Sequence, residues 1–241
     1  MMMKHIQPLA NRFSRAAAGL EIACVLAFPA LALAFIRSAG LRVIFVPMSL
    51  AFAVVLAWGC LRRQGKGWDA VGFAKPQRVW RTLLVGLVSW IGVTLVAGSL
   101  QPVIVKLIGQ PVKLAALDFV RGNPAAFFPI LLSVVWGSAA FGEELIFRGF
   151  VMNRLTNLFG QGRRACVAAV LVQAILFGLM HAYQGLTGIL FTGIVGCLLG
   201  TVYWLAGRNL WVTIIAHGLL DTVSLTAIFL NLDRGLRSGG G

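Results

Sequence analysis

Seven apolar runs, each near the length that crosses a bilayer, limit the fold of this chain more than any other feature. They lie at roughly 19–36, 42–61, 82–108, 126–152, 165–182, 186–205 and 210–230. A helix needs about 20 apolar residues to span the hydrocarbon core, and backbone groups inside lipid must be satisfied within the helix itself. With 59% hydrophobic and 12% charged residues, the chain carries about half the charge of a soluble domain. The expected fold is all-α: a polytopic membrane helical bundle of about seven to eight transmembrane helices. It forms a single membrane domain over 1–241, with flexible termini at 1–18 and 231–241. Short connections make sequential helices antiparallel neighbours.

The net charge of +14 comes from 21 basic and 7 acidic residues. A nucleic-acid partner would need a solvent-facing basic surface. Here the basic residues sit mainly between apolar runs, which suits loops at an anionic membrane face. The bilayer is therefore the expected partner and nucleic acid is not. The longest polar stretch holds Arg62, Arg63, Lys66, Lys75, Arg78 and Arg81, interleaved with Trp68, Phe73 and Trp80. It reads as a loop lying on the membrane surface. With a cytoplasmic N-terminus, 13 basic residues fall on the inner side and 7 on the outer, Arg148 being set inside a span. That bias predicts N-in and C-out. The first apolar run is too long for a signal-peptide core, and no cleavage site precedes the next, so no cleaved leader is expected. Cys24, Cys60, Cys166 and Cys197 lie in or beside apolar runs and form no CxxC. They read as small buried hydrophobes, not as a disulfide frame or thiolate site.

The last four runs carry Glu143, Glu144, Asp221, His181, His217 and Arg148. An ionisable group at a bilayer centre costs about 2.5–3.5 kcal/mol, so six unpaired groups would cost on the order of 10 kcal/mol or more. They are expected to face one another. Glu144 and Arg148 are four apart and share a helix face. Glu143 is rotated about 100° away, so one carboxylate can be held by the arginine while the other faces a cavity. Phe177 and His181 share a face, as do His217 and Asp221, where the aspartate can orient the imidazole. Each pair alone suits a buried structural contact. Together, on three separate spans, they can activate water and stabilise an oxyanion.

At these residues the sequence resembles the CPBP family of intramembrane proteases, which includes type II CAAX prenyl endopeptidases and bacteriocin-processing relatives. The family's motifs EExxxR, FxxxH and HxxxN/D stand here in order as Glu143-Glu144-x-x-x-Arg148, Phe177-x-x-x-His181 and His217-x-x-x-Asp221. The resemblance covers roughly 126–225, expected to be the catalytic core. It implies Glu143 as general base on water, supported by Glu144 and Arg148. It implies that His181 completes the water site, and that His217 with Asp221 stabilises the oxyanion. Prenyl endopeptidases of this type usually carry Asn where Asp221 stands. A glutamic-type, metal-free mechanism and no cofactor are expected. Zinc is the alternative, with Glu143, His181, His217 and Asp221 as ligands, although HExxH is absent.

The implied activity is endoproteolysis of a membrane-anchored protein or peptide near its C-terminus, in a bacterial inner membrane. A sorting tail or peptide precursor is favoured over a prenylated substrate. A transporter or proton relay and a non-catalytic immunity or scaffold protein are the rival functions. One tension lies in depth. From the basic end, Glu143 is 11 residues from Arg154 and His217 is 9 from Arg208, but His181 is 17 from Arg164. At helical rise these are about 16, 13 and 25 Å.

Overall fold

The computed structural model describes residues 6–36, 38–160 and 162–233. They are helical, with no strand among the described residues. Seven stretches are long and apolar enough to cross a membrane: Arg15–Phe35, Gly40–Arg62, Val79–Ile108, Pro124–Phe159, Arg163–Met180, Ala182–Leu205 and Leu210–Phe229. Each overlies one of the seven apolar runs. The elements are α1 (Ile6–Phe35), α2 (Ala39–Arg62), α3 (Val79–Ile108), α4 (Pro124–Ile130), α5 (Met152–Phe159), α6 (Arg163–Met180), α7 (Gly185–Leu205) and α8 (Leu210–Phe229). Between α4 and α5, Leu131–Val151 winds more widely, with π-helical i→i+5 bonding, so the fourth span is one continuous rod. Such winding is rare and is found mostly at functional sites.

Local chemistry sets the ends of these helices. Asn123 caps α4, its side chain accepting from Ala126 N–H, with Pro124 in the first turn. Asn209 caps α8 by accepting from Trp211 N–H. Gly109 closes α3 at φ 74°, a left-handed conformation that costs glycine little.

The π segment is the axis of the bundle. α8 packs along one side of it and α2 along another, while α3 and α7 complete the wall around α8 and α6 pairs with α7. Glycines allow close approaches between helices. A Cβ on Gly178 would lie 2.5 Å from Ile189 O on α7, and one on Gly218 would lie 2.6 Å from the Trp136 ring. Small residues at helix crossings let backbones approach in membranes, where packing rather than hydrophobicity drives association.

The bundle has a basic end and a far end. The 63–78 connection, the α5–α6 turn and the α7–α8 turn share the basic end; the turns after α1, α3, α6 and α8 share the far end. At the basic end the 63–78 loop departs from the surface loop expected. Val71 is buried, and Trp68 packs against the core. Tyr203 Oη donates to Val71 O at 2.7 Å, Leu210 N–H to Gly72 O at 3.1 Å and Trp211 Nε1–H to Ala74 O at 3.0 Å. Phe73 lies against Trp211 and edge-on to Phe141. The middle of the loop is thus docked into the bundle, while its basic residues stay outside.

Part of the expected flexible termini falls among the described residues. α1 begins at Ile6, so 6–18 are helical. Asn231–Asp233 form a held turn. Arg121 donates to both Asp233 carboxylate oxygens at 2.6 Å, to Asp118 at 2.9 Å and to Ile228 O at 3.2 Å. The Asp233 bonds, with Asp118, raise Arg121 above its usual pKa range. Residues 1–5 and 234–241 of the expected flexible ends lie outside the described residues, as do Lys4, Arg37, Arg234 and Arg237 of the charge count. All four cysteines are free, but Cys24 is exposed and the other three are half-buried, not fully buried as expected. The reason for Cys24 is that α1 packs through one face and leaves the other to lipid.

Candidate active site

Glu144 and Arg148 lie on one face of the π segment with no side-chain exposure, and Arg148 Nη1 donates to Glu144 Oε1 at 2.8 Å. Arg148 is held on two further sides. Its guanidinium sits 4.5 Å from the Phe177 ring centroid, and Nη2 reaches Gly196 O at 3.4 Å. Cation–π contact and carbonyl bonding keep the charge solvated in a dry interior.

His217 joins the pair from α8. Its Nδ1–H donates to the same Glu144 Oε1 at 2.9 Å. The expected His217–Asp221 contact is looser, with Nε2 3.5 Å from Asp221 Oδ2. Arg148, Glu144, His217 and Asp221 therefore form one relay across two spans. Thr213, one turn before His217, donates to Leu210 O at 3.1 Å.

Glu143 is on a different face, as the spacing requires. It is half-buried, and its Oε2 is shielded from solvent without a hydrogen-bond partner. It remains within electrostatic reach of His217, Asp221 and Arg148. Two adjacent carboxylates thus differ in kind: Glu144 is fully engaged through Oε1, and Glu143 is free.

His181 sits just past the end of α6. Its Nδ1 bonds Phe177 O at 2.8 Å, leaving Nε2 uncommitted, and its ring packs on Phe177 at 4.8 Å and Tyr183 at 5.8 Å. No hydrogen bond joins it to Glu143, Glu144 or His217 among the described residues. The link runs through Phe177, whose ring also meets His217 at 6.1 Å. This accounts for about half of the depth mismatch. Phe177 is level with the ion pair, and His181 lies one turn, about 5 Å, nearer the far end.

Three contributors were not picked out from sequence. Gln173 is fully buried, and its Nε2 donates to Gly196 O at 2.7 Å, the carbonyl that Arg148 also approaches. Its signal was available: a polar residue four before Phe177 and eight before His181, on the same helix face. Tyr183 and Arg42 form a rim, with the Arg42 guanidinium 5.9 Å from the Tyr183 ring centroid. Nothing local marks Arg42, because its role depends on how α2 packs.

For zinc, the donor set offered is two imidazoles and two carboxylates, from Glu143, His181, His217 and Asp221. Among the described residues no three His, Cys, Asp or Glu converge in a metal-holding group. His217 Nδ1 is given to Glu144 and His181 Nδ1 to Phe177 O, which leaves Nε2 of each ring as the nitrogen available to a ligand.

Residues 124–223 match the family model of type II CAAX prenyl endopeptidases, Rce1-like. Over these 100 of its 241 residues the chain is similar to the CAAX-protease core of the CPBP family. All six candidate residues lie inside that core, which runs from the start of α4 into α8. No curated protein and no solved structure matches the chain.

Proposed function

We propose that the chain hydrolyses a peptide bond of a membrane-tethered substrate, with Glu143 as the general base on water. The observation that carries this reading is the contrast between neighbours. Glu144 is locked to Arg148 and His217, whereas Glu143 Oε2 is buried, unpartnered and beside the same cluster. Glu143 takes a proton from water, and the resulting hydroxide adds to the scissile carbonyl carbon. The carbonyl oxygen becomes an oxyanion. His217, with Nδ1–H given to Glu144, can present a second N–H at Nε2 to that oxyanion, since its hold on Asp221 is loose. Collapse breaks the C–N bond, and the proton on Glu143 passes to the leaving amine. His181, through its uncommitted Nε2, orients the water or the substrate carbonyl. Glu144 and Arg148 touch no reacting atom in this scheme; they position His217.

The mechanism uses no metal or cofactor. Candidate substrates are C-terminal sorting tails and peptide precursors anchored in the membrane; the family name also points to prenylated CAAX tails. The test is cleavage of such substrates by the purified protein in liposomes. Glu143→Gln should lower turnover by about 10²–10⁴-fold, the usual contribution of a general base, and a strong chelator should leave the parent active. Full activity of Glu143→Gln would sink the glutamate mechanism, and chelator-sensitive activity restored by zinc would sink its metal-free form.

A further inference from the structure

We propose that the site opens at the far end of the bundle, on the extracytoplasmic face, and so takes peptide segments presented outside the membrane. The proposal rests on the protease reading for its substrate, but its geometry stands without it.

The first argument is the order of burial along three elements. On the π segment, residues 144–152 are all buried toward the basic end, while Glu143 and most residues before it, Gly142, Ala140 and Val135 excepted, are partly open. On α8, the His217 side chain is 5% exposed, whereas Asp221, one turn nearer the far end, is 33% exposed. On α6, Phe177 is buried and His181, again one turn nearer the far end, is half-buried. An ionisable group in a span faces water or a partner, not lipid. Asp221 therefore marks a polar opening, and the opening lies on its side of His217.

The second argument is that the basic end is closed. The docked loop places Val71 against Gly149 and Leu210, directly beneath the Arg148 layer. Tyr203 and Leu210 are sealed beside it. At the far end, by contrast, Tyr183 is exposed and its ring lies 5.8 Å from that of His181, with the Arg42 guanidinium 5.9 Å from its centroid.

The third argument is charge. The basic end carries Arg63, Lys66, Lys75 and Arg78 in one loop, Arg163 and Arg164 at the next turn and Arg208 at the last. The described far end carries Arg42, Lys106, Lys113 and Arg121. Short loops rich in Lys and Arg stay in the cytoplasm, and acidic residues weigh little in that rule. The closed end is then cytoplasmic and the open end external. Substrates follow: exported chains whose tether leaves the scissile segment on the outer surface, and not tails modified and displayed in the cytoplasm.

The test uses a parent with its four cysteines replaced by alanine, carrying one new cysteine at a time and expressed in cells. Asp221→Cys and Tyr183→Cys report the site, Gln110→Cys the far end and Gln77→Cys the basic end. A membrane-impermeant maleimide applied to spheroplasts should label the site and Gln110 reporters but not Gln77→Cys. In inside-out vesicles it should label Gln77→Cys alone. Labelling of both site reporters from the cytoplasmic side, or of neither from outside, overturns the proposal. The readout needs no proteolysis, so it fails or holds independently of Glu143→Gln.

Discussion

Arg148→Met offers the sharpest test of how the site is held together. In the native protein Arg148 and Glu144 are both fully enclosed, and Arg148 supplies the positive charge nearest the Glu144 carboxylate. Removing it leaves Glu144 with one bond from His217 in a dry interior. Deleting one partner of a buried pair typically costs about 3–5 kcal/mol, much of it the penalty of the charge left behind. The structure gives no reason for a smaller cost. Glu144 Oε2 already lacks a partner, and among the described residues no second Lys or Arg bonds this carboxylate. Glu144→Met should cost a similar amount, because it strands the guanidinium. The double variant should cost less than either, because both charges leave together. What remains is the His217 N–H without its acceptor, worth about 1–3 kcal/mol. Equilibrium unfolding in mixed detergent micelles, run as a double-mutant cycle, reads this directly. The expected coupling is large and favourable. If the two single costs simply add, the pair is not the buried lock described here and the relay through His217 loses its basis.

Glu143→Gln should unfold within about 0.5 kcal/mol of the parent, the range of substitutions that break no special contact, because its side chain makes no hydrogen bond to lose. A shift as large as that of Arg148→Met would show Glu143 to be structural. Asp221→Asn should keep activity, since an amide can still face His217 Nε2, whereas Asp221→Leu should lose it; equal loss in both would make the Asp221 charge essential. Gly178→Val should destabilise by about 1–3 kcal/mol or more, as overpacking does, because its Cβ would meet Ile189 O. The same change should slow turnover by shifting Phe177 and His181, and wild-type turnover would separate the α6–α7 crossing from the site.

Much of this was legible from sequence because membrane helices announce themselves. The lipid imposes length and apolarity on each span, so all seven emerged at nearly their observed places. The i,i+4 spacings likewise fixed Glu144–Arg148 and His217–Asp221 as neighbours, since both members of each pair share one helix. What could not be read is any contact between helices. The tight bond from His217 to Glu144 crosses 73 residues and depends on how α8 crosses the π segment. The docking of the 63–78 loop was hidden for a related reason. Its aromatic and basic residues suit a surface loop as well as an inserted one, and only the hydrogen bonds to Val71, Gly72 and Ala74 decide between them. Gln173 was overlooked because one amide in an apolar run costs little attention next to a motif, although its helix face already aligned it with Phe177.

In the proposed mechanism the twin glutamates hold roles that they cannot exchange. A base must keep a lone pair free, and a positioning anion must not. Adjacent residues on a helix point in different directions, so one backbone segment can serve both needs at a single depth. Arg148 enforces the division. Its i,i+4 spacing reaches Glu144 and not Glu143, and Phe177 and Gly196 fix the guanidinium in that direction. With its charge spent on Glu144, Arg148 lends Glu143 only a distant field and no hydrogen bond, which leaves the Glu143 carboxylate able to accept a proton. Moving the arginine's partner from one glutamate to the other would therefore remove the base and release His217 in the same step.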